Sequence, residues 1–282
     1  MIAVVDYQKG NLKSVERSLI AAGGEALITA DASEIAKADA IVLPGVGAFA
    51  DAAATMCELG QMEAIRDRVR AGVPFLGICL GEHLMFEHGV EGAPEGNPAC
   101  GLGLLPGTVV AMPRCDAQGK AFKVPHVGWN TIEIPVCGGS AAVPPCGEGG
   151  GNAVLLSGGA GGGAARSSAA KRGLFEHGAF PNSASQPESE LAFPDSTPQP
   201  GSDLAFACPL FDGIAPGEYF YFTHSFIAPT GSHTIAETTH SVRFTSAVQF
   251  GERAFGVQFH PEKSSDAGAR VLANFVAIAA RG

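Results

Sequence analysis

Apolar runs alternate with stretches of helical spacing through the first hundred residues. MIAVVDY (1–7) reads as a short apolar strand. From Asn11 to Ala22 the positions Leu12, Val15, Leu19 and Ile20 recur at helical intervals and stop at Gly23-Gly24, which predicts a helix. EALIT (25–29) and ADAIVLPG (38–45) predict a second and a third strand, and helices are expected over Asp51–Cys57 and Met62–Ala71. VPFLGIC (73–79) is apolar on both faces, as a buried parallel strand should be, and GEHLMFE (81–87) starts another helix. Beyond Ala99 the period changes to two: TVVAMP, WNTIEIP, EYFYFTHSF, TSAVQF and AFGVQFHP read as strands, and Asp266–Ala280 as a closing helix. With right-handed βαβ connections this order predicts an α/β fold, an open and mostly parallel sheet with helices on both faces, flavodoxin-like.

One stretch breaks the pattern. Glycine makes up 38 of the 282 residues, and much of it lies between Gly138 and Gly173, in runs such as GEGGG (147–151). Prolines among Ser, Gln and acidic residues follow, from Pro181 to Pro209. Ordering such a segment costs much backbone entropy, and few large apolar groups are there to offset it. We therefore expect a single domain over 1–282, interrupted by a low-complexity insertion at about 138–207 that is loosely packed and has no function of its own.

Charge and cysteine usage exclude several classes. Charged residues are 16%, against an ordinary ~25%, and the net charge is −10, which argues against a nucleic-acid partner needing a basic face. No apolar run is long enough for a membrane span, and Asp6 and Lys9 come too early for the apolar core of a signal peptide. Seven cysteines without a C-x-x-C pair fit neither a disulfide framework nor a structural zinc site. The expectation is a cytoplasmic protein with no metal and no membrane partner.

The sharpest chemical signal is Gly77-Ile78-Cys79-Leu80-Gly81, between a buried strand and a helix. It has the G-x-C-x-G form of a nucleophile elbow. Glycines two residues to either side are needed because the tight strand-to-helix turn brings those backbone positions into collision. Cys79 would stand at a helix start, where the macrodipole favours thiolate, and the Leu80 N–H would face a developing oxyanion. A thiol needs a base and the base an orienting group. Near the C-terminus, GVQFHPEKS (256–264) offers His260 at the end of an apolar strand and Glu262 two residues on, on the same face of an extended chain. Cys79, His260 and Glu262 are the candidate triad.

The set GICLG, PGVGAF (44–49), PHVGWN (125–130), YFTHSF (221–226) and GVQFHPEKS resembles the class I, triad-type glutamine amidotransferases. More narrowly it resembles the glutaminase subunits of imidazole glycerol phosphate synthase, in histidine biosynthesis. The resemblance covers about 1–137 and 208–282. It implies that Cys79 attacks the side-chain amide of L-glutamine to give a γ-glutamyl thioester and ammonia, with His260 as acid and base and Glu262 as its orienter. It implies a second oxyanion donor in the loop Val46-Gly47, the N–H of Val46, where flanking glycines would let a peptide turn over. The backbone around His224, Ser225 and Phe226 would hold the substrate's α-amino and α-carboxylate groups. No cofactor is implied. The ammonia would pass to a cyclase subunit, a (β/α)₈ barrel; the chain ends about 20 residues after His260, so this partner is expected to be a separate polypeptide. Trp129, the only tryptophan, with Asn11 and Lys263, would lie at the interface.

Two departures stand out. The family continues the elbow as G-M-Q, and its glutamine contacts the substrate; here Glu82 and His83 follow Gly81. An imidazole offers one hydrogen bond where an amide offers a donor and an acceptor together, so His83 is expected to be a weaker substrate ligand. Glu82 brings a negative charge within a turn of the thiol, opposing thiolate formation unless it points to solvent. Gln8 also replaces a glycine usual in the DYGxGN segment. Two rival readings stay open: a catalytically weakened regulatory subunit, which Glu82-His83 favours, or a glutaminase serving another acceptor, which an absent PHVGWN would have favoured.

Overall fold

The computed structural model describes residues 1–133 and 208–281. All of them fall in one compact unit, Met1–Cys146 with Ser202–Gly282. The expected insertion at 138–207 lies outside the described residues.

Thirteen strands and six helices are described in chain order. They are β1 (Ile2–Val5), α1 (Leu12–Ala21), β2 (Ala26–Thr29), α2 (Ala32–Ile35), β3 (Ala40–Gly45), α3 (Phe49–Glu58), α4 (Gln61–Arg70), β4 (Phe75–Cys79) and α5 (Leu80–His83). There follow β5 (Phe86–Gly89), β6 (Ala99–Cys100), β7 (Leu105–Ala111), β8 (His126–Thr131), β9 (Tyr219–His224) and β10 (Phe226–Ile227). The chain closes with β11 (Thr234–Thr239), β12 (Arg243–Phe250), β13 (Ala254–Val257) and α6 (Ser265–Ala279).

Seven strands make the central sheet in the order β11-β12-β13-β4-β3-β1-β2. The pairs from β13 to β2 are parallel, and β11 and β12 add an antiparallel edge. The alternation of side chains explains the layers. Val4, Val42, Leu76 and Ile78 point to one face and pack with Val15 and Leu19 of α1 and Phe275 of α6. Val5, Ile41, Leu43 and Phe75 point to the other and meet Met56 of α3 with Ile65 and Val69 of α4. Strands buried on both faces read as unbroken apolar runs, which is why β1, β3 and β4 stand out in the sequence.

Three expectations need correction. The helix expected over 81–87 is only the four residues of α5, after which the chain turns into β5. The strand expected to run through His260 ends at Val257; His260 lies beyond it, held by its N–H to Tyr221 O at 2.9 Å, before a 3₁₀ turn at Pro261–Lys263. Proline at 261, which has no N–H, bars a ladder from resuming beyond His260. WNTIEIP is strand only to Thr131, with Glu133 bridging to Glu237.

The site is positioned by the carboxyl ends of the parallel strands. Tyr7 follows β1, Val46-Gly47 follow β3, Cys79 ends β4, and Gln258 and His260 follow β13. This edge is where open α/β sheets bind ligands.

Candidate active site

The elbow has the geometry its glycines require. Cys79 adopts φ +54°, ψ −107°, a backbone conformation that side-chain-bearing residues rarely adopt. A Cβ on Gly77 would stand 2.5 Å from Gly81 O, and one on Gly81 would overlap Leu43 O. Only glycine at both positions lets α5 start directly off β4. Leu80 is the first residue of α5, and its N–H is among those a helix start leaves without an intrahelical partner.

Cys79 and His260 line one pocket of about 420 Å³, together with Val46, Gly47, Leu80, His83, Ser225, Phe226 and Lys263 among others. His260 Nδ1 pairs with Glu262 Oε1 at 2.9 Å, and both side chains are almost fully buried. Nε2 is buried with no hydrogen-bond partner among the described residues. Burial pulls the imidazolium down, but the neighbouring Cys79 sulfur and the Glu262 carboxylate outweigh it and hold His260 up at about 9. The arrangement can form a thiolate–imidazolium pair with the imidazole's far side oriented by a carboxylate.

The second oxyanion donor is not in place. The Val46 N–H donates to Tyr7 Oη at 3.1 Å, so it is not free for a substrate oxygen. Tyr7 is fully buried, which pushes its phenol up and keeps it neutral. Gly47, at φ +97°, holds a backbone conformation that glycine adopts without strain.

Glu82 and His83, the departures at the elbow, behave differently from expectation. Glu82 does not point to solvent. It is completely buried, neither carboxyl oxygen has a partner among the described residues, and burial raises its carboxyl well above the usual range. Burial therefore disfavours its ionised form and suppresses the charge that the sequence placed beside the thiol. His83 does line the pocket, but its Nε2 is taken by Gln258 Oε1 at 2.6 Å, and burial lowers the ring to about 4. Sequence reasoning assigned no role to Gln258, although it lies inside GVQFHPEKS; its Nε2 donates to Cys79 Sγ at 3.6 Å. Glu91 was missed too. Among the described residues it is the one acidic residue that lines the pocket, and partial burial raises its carboxyl. Nothing near Glu91 in the sequence marked it.

His224 is a satisfied buried histidine, with Nδ1 on Phe226 O at 2.8 Å and Nε2 on His126 Nδ1 at 3.0 Å. Trp129 is 51% exposed and sits edge-on to Tyr221, beside the exposed Val127 and Tyr219 on the same face of the β8–β9 ribbon. Lys263 Nζ lies over the Tyr221 ring at 5.9 Å, linking this apolar face to the pocket mouth. Asn11 is exposed just before α1 and makes no side-chain cap.

The class-I glutamine amidotransferase family model matches residues 3–133 and 196–279. Imidazole glycerol phosphate synthase subunit HisH of Moorella thermoacetica is 34% identical over 97% of this chain and 93% of its own length. The same subunit of Rhodopirellula baltica is 34% identical over 98% of this chain and 96% of its own. A solved glutamine amidotransferase superposes with a TM-score of 0.55 at 15% identity, covering 99% of this chain and 98% of that one, and shares the fold. The chain belongs to the class-I glutamine amidotransferases. Within them it is a member of the HisH family, the glutamine-hydrolysing subunits of imidazole glycerol phosphate synthase. No helix among the described residues is long and apolar enough to cross a membrane.

Proposed function

We propose that Cys79, His260 and Glu262 carry out the glutamine hydrolysis, and that the ammonia passes to a separate cyclase subunit, a (β/α)₈ barrel, in the cytoplasm. The observation that carries this reading is the buried His260–Glu262 pair at 2.9 Å, whose imidazole lines the same pocket as the elbow cysteine. Sγ adds to the amide carbon while the His260 imidazolium protonates the departing nitrogen, and ammonia leaves behind a γ-glutamyl thioester. Water then attacks as His260 takes its proton, and glutamate leaves with Sγ restored. Glu262 holds the imidazole throughout. The Leu80 N–H stabilises the oxyanion, and Glu91 offers a counter-charge for the α-ammonium of glutamine, with the Ser225-Phe226 backbone at the α-carboxylate.

The second oxyanion donor, at Val46-Gly47, requires the peptide held by Tyr7 to turn over, and docking of the cyclase supplies the occasion. The exposed Val127, Trp129 and Tyr219, reached from the pocket through Tyr221 and Lys263, suit that docking face, and the exposed Asn11 is assigned to it as well. The chain is read as one amidotransferase domain with an insertion at about 138–207.

Glutamate release by the purified chain, alone and with a purified cyclase and its nucleotide ligand, tests the reading. We expect heterodimer formation by gel filtration and release that rises on docking. No release in either state would favour the regulatory reading, and release without cyclase binding would favour another acceptor. Tyr7→Phe frees the Val46 N–H and is expected to raise cyclase-independent release several-fold. An unchanged rate would show that Tyr7 does not restrain the loop.

A further inference from the structure

The mechanism leaves one short chain of buried polar contacts unused. It runs from His83 at the end of α5, through Gln258 just past β13, back to Cys79 at the start of α5. We infer that Gln258 is a catalytic residue whose side-chain amide donates a hydrogen bond to the Cys79 thiolate, and that His83 positions that amide. The inference rests on Cys79 being the nucleophile.

The geometry gives both halves. Gln258 Nε2 lies 3.6 Å from Sγ, and Gln258 Oε1 lies 2.6 Å from His83 Nε2. Gln258 is completely buried and His83 nearly so, so water does not compete for either contact. The protonation of His83 decides the direction. Its ring is neutral near pH 7, with one N–H. If that proton is on Nε2, it donates to Oε1, and the Gln258 NH₂ must face the sulfur as a donor. The reverse arrangement would turn the carbonyl toward the sulfur, where it would accept from a thiol and repel a thiolate. A thiolate partner is what the raised His260 on the other side of Cys79 calls for. The two sides then agree: His260 contributes charge to the sulfur, and Gln258 contributes a fixed dipole. A glutamine at position 83 could also donate to Gln258 Oε1; a leucine could not.

The test is the pH dependence of iodoacetamide alkylation of Cys79 in the full chain, read by mass spectrometry of the peptide bearing Cys79. Gln258→Met should slow alkylation at pH 7 by about tenfold to a hundredfold, the range for one hydrogen bond to a charged group, and displace the profile to higher pH. It should lower kcat for glutamine by a similar factor with little change in KM. His83→Leu should displace the profile the same way by less, and His83→Gln should keep the parental profile. Circular dichroism and melting establish that each variant is folded; His83→Leu carries the test if Gln258→Met is not. A folded Gln258→Met or His83→Leu with the parental profile overturns the inference, as does faster alkylation, which would place the carbonyl at the sulfur. A parental Cys79 no more reactive than the exposed Cys57 would instead overturn the nucleophile assignment itself.

Discussion

Cys79→Ala is expected to abolish glutamine-dependent synthesis by the assembled complex, by about 10⁴-fold or more, and to leave synthesis from added ammonium salt intact. The thiol makes and breaks bonds only in the amide-cleaving half, so a cyclase supplied with ammonia has no use for it. The substitution keeps a Cβ at the same positive-φ position, so the elbow carries the same backbone strain and melting should change little. His260 supplies an internal control. With the sulfur gone, burial is opposed by Glu262 alone, so the imidazole should titrate below the value of about 9 it holds beside Cys79. NMR of the ring protons reads this directly. Loss of ammonia-dependent synthesis in an intact complex would refute the division of labour between the two subunits.

The parts of this molecule legible in the sequence are those whose chemistry is local. The elbow was readable because Gly77 and Gly81 answer a collision within five residues. His260 and Glu262 were readable because they lie two residues apart. The strands β1, β3 and β4 declared themselves by being apolar on both faces. What escaped depends on distance along the chain. Gln258 meets His83 and Cys79 across about 175 intervening residues, and no local pattern marks that meeting. Tyr7 could be seen ending a strand, but not that its hydroxyl would take the Val46 N–H, 39 residues away. The helix expected over 81–87 failed for a related reason. Its apolar spacing suits a helix, yet Phe86 and His88 find ladder partners in β7 at Leu105 and Thr108, and that pairing prevails over propensity.

Glu82→Met is expected to stabilise the chain, an unusual sign for a buried substitution. The Glu82 carboxyl is wholly buried with both oxygens unpartnered among the described residues, and its stem lies with Met85 Sδ and Val248 Cγ2 against Gly256. An unsatisfied polar group in such surroundings costs about 1–3 kcal/mol, which a thioether of similar volume does not incur. The melting temperature should rise by several degrees, at about 2–4 °C per kcal/mol for a chain of this size. The pH dependence fixes the cause. Burial raises the folded-state pKa of Glu82 well above 4.5, so below that value the group is protonated in both states and adds no slope. As pH rises past 4.5 the unfolded chain ionises first, and the parent loses stability until the folded carboxyl also ionises. The advantage of the methionine variant should therefore grow from pH 4.5 toward neutrality. Because burial disfavours a charge on Glu82 in the folded chain, glutaminase activity should change little. Urea midpoints of parent and variant between pH 4 and 8 decide the matter: a constant difference would mean that the folded carboxyl is not raised, a difference that shrinks as pH rises would mean that Glu82 is ionised and has a partner, and a less stable variant would mean that the carboxyl is structurally required.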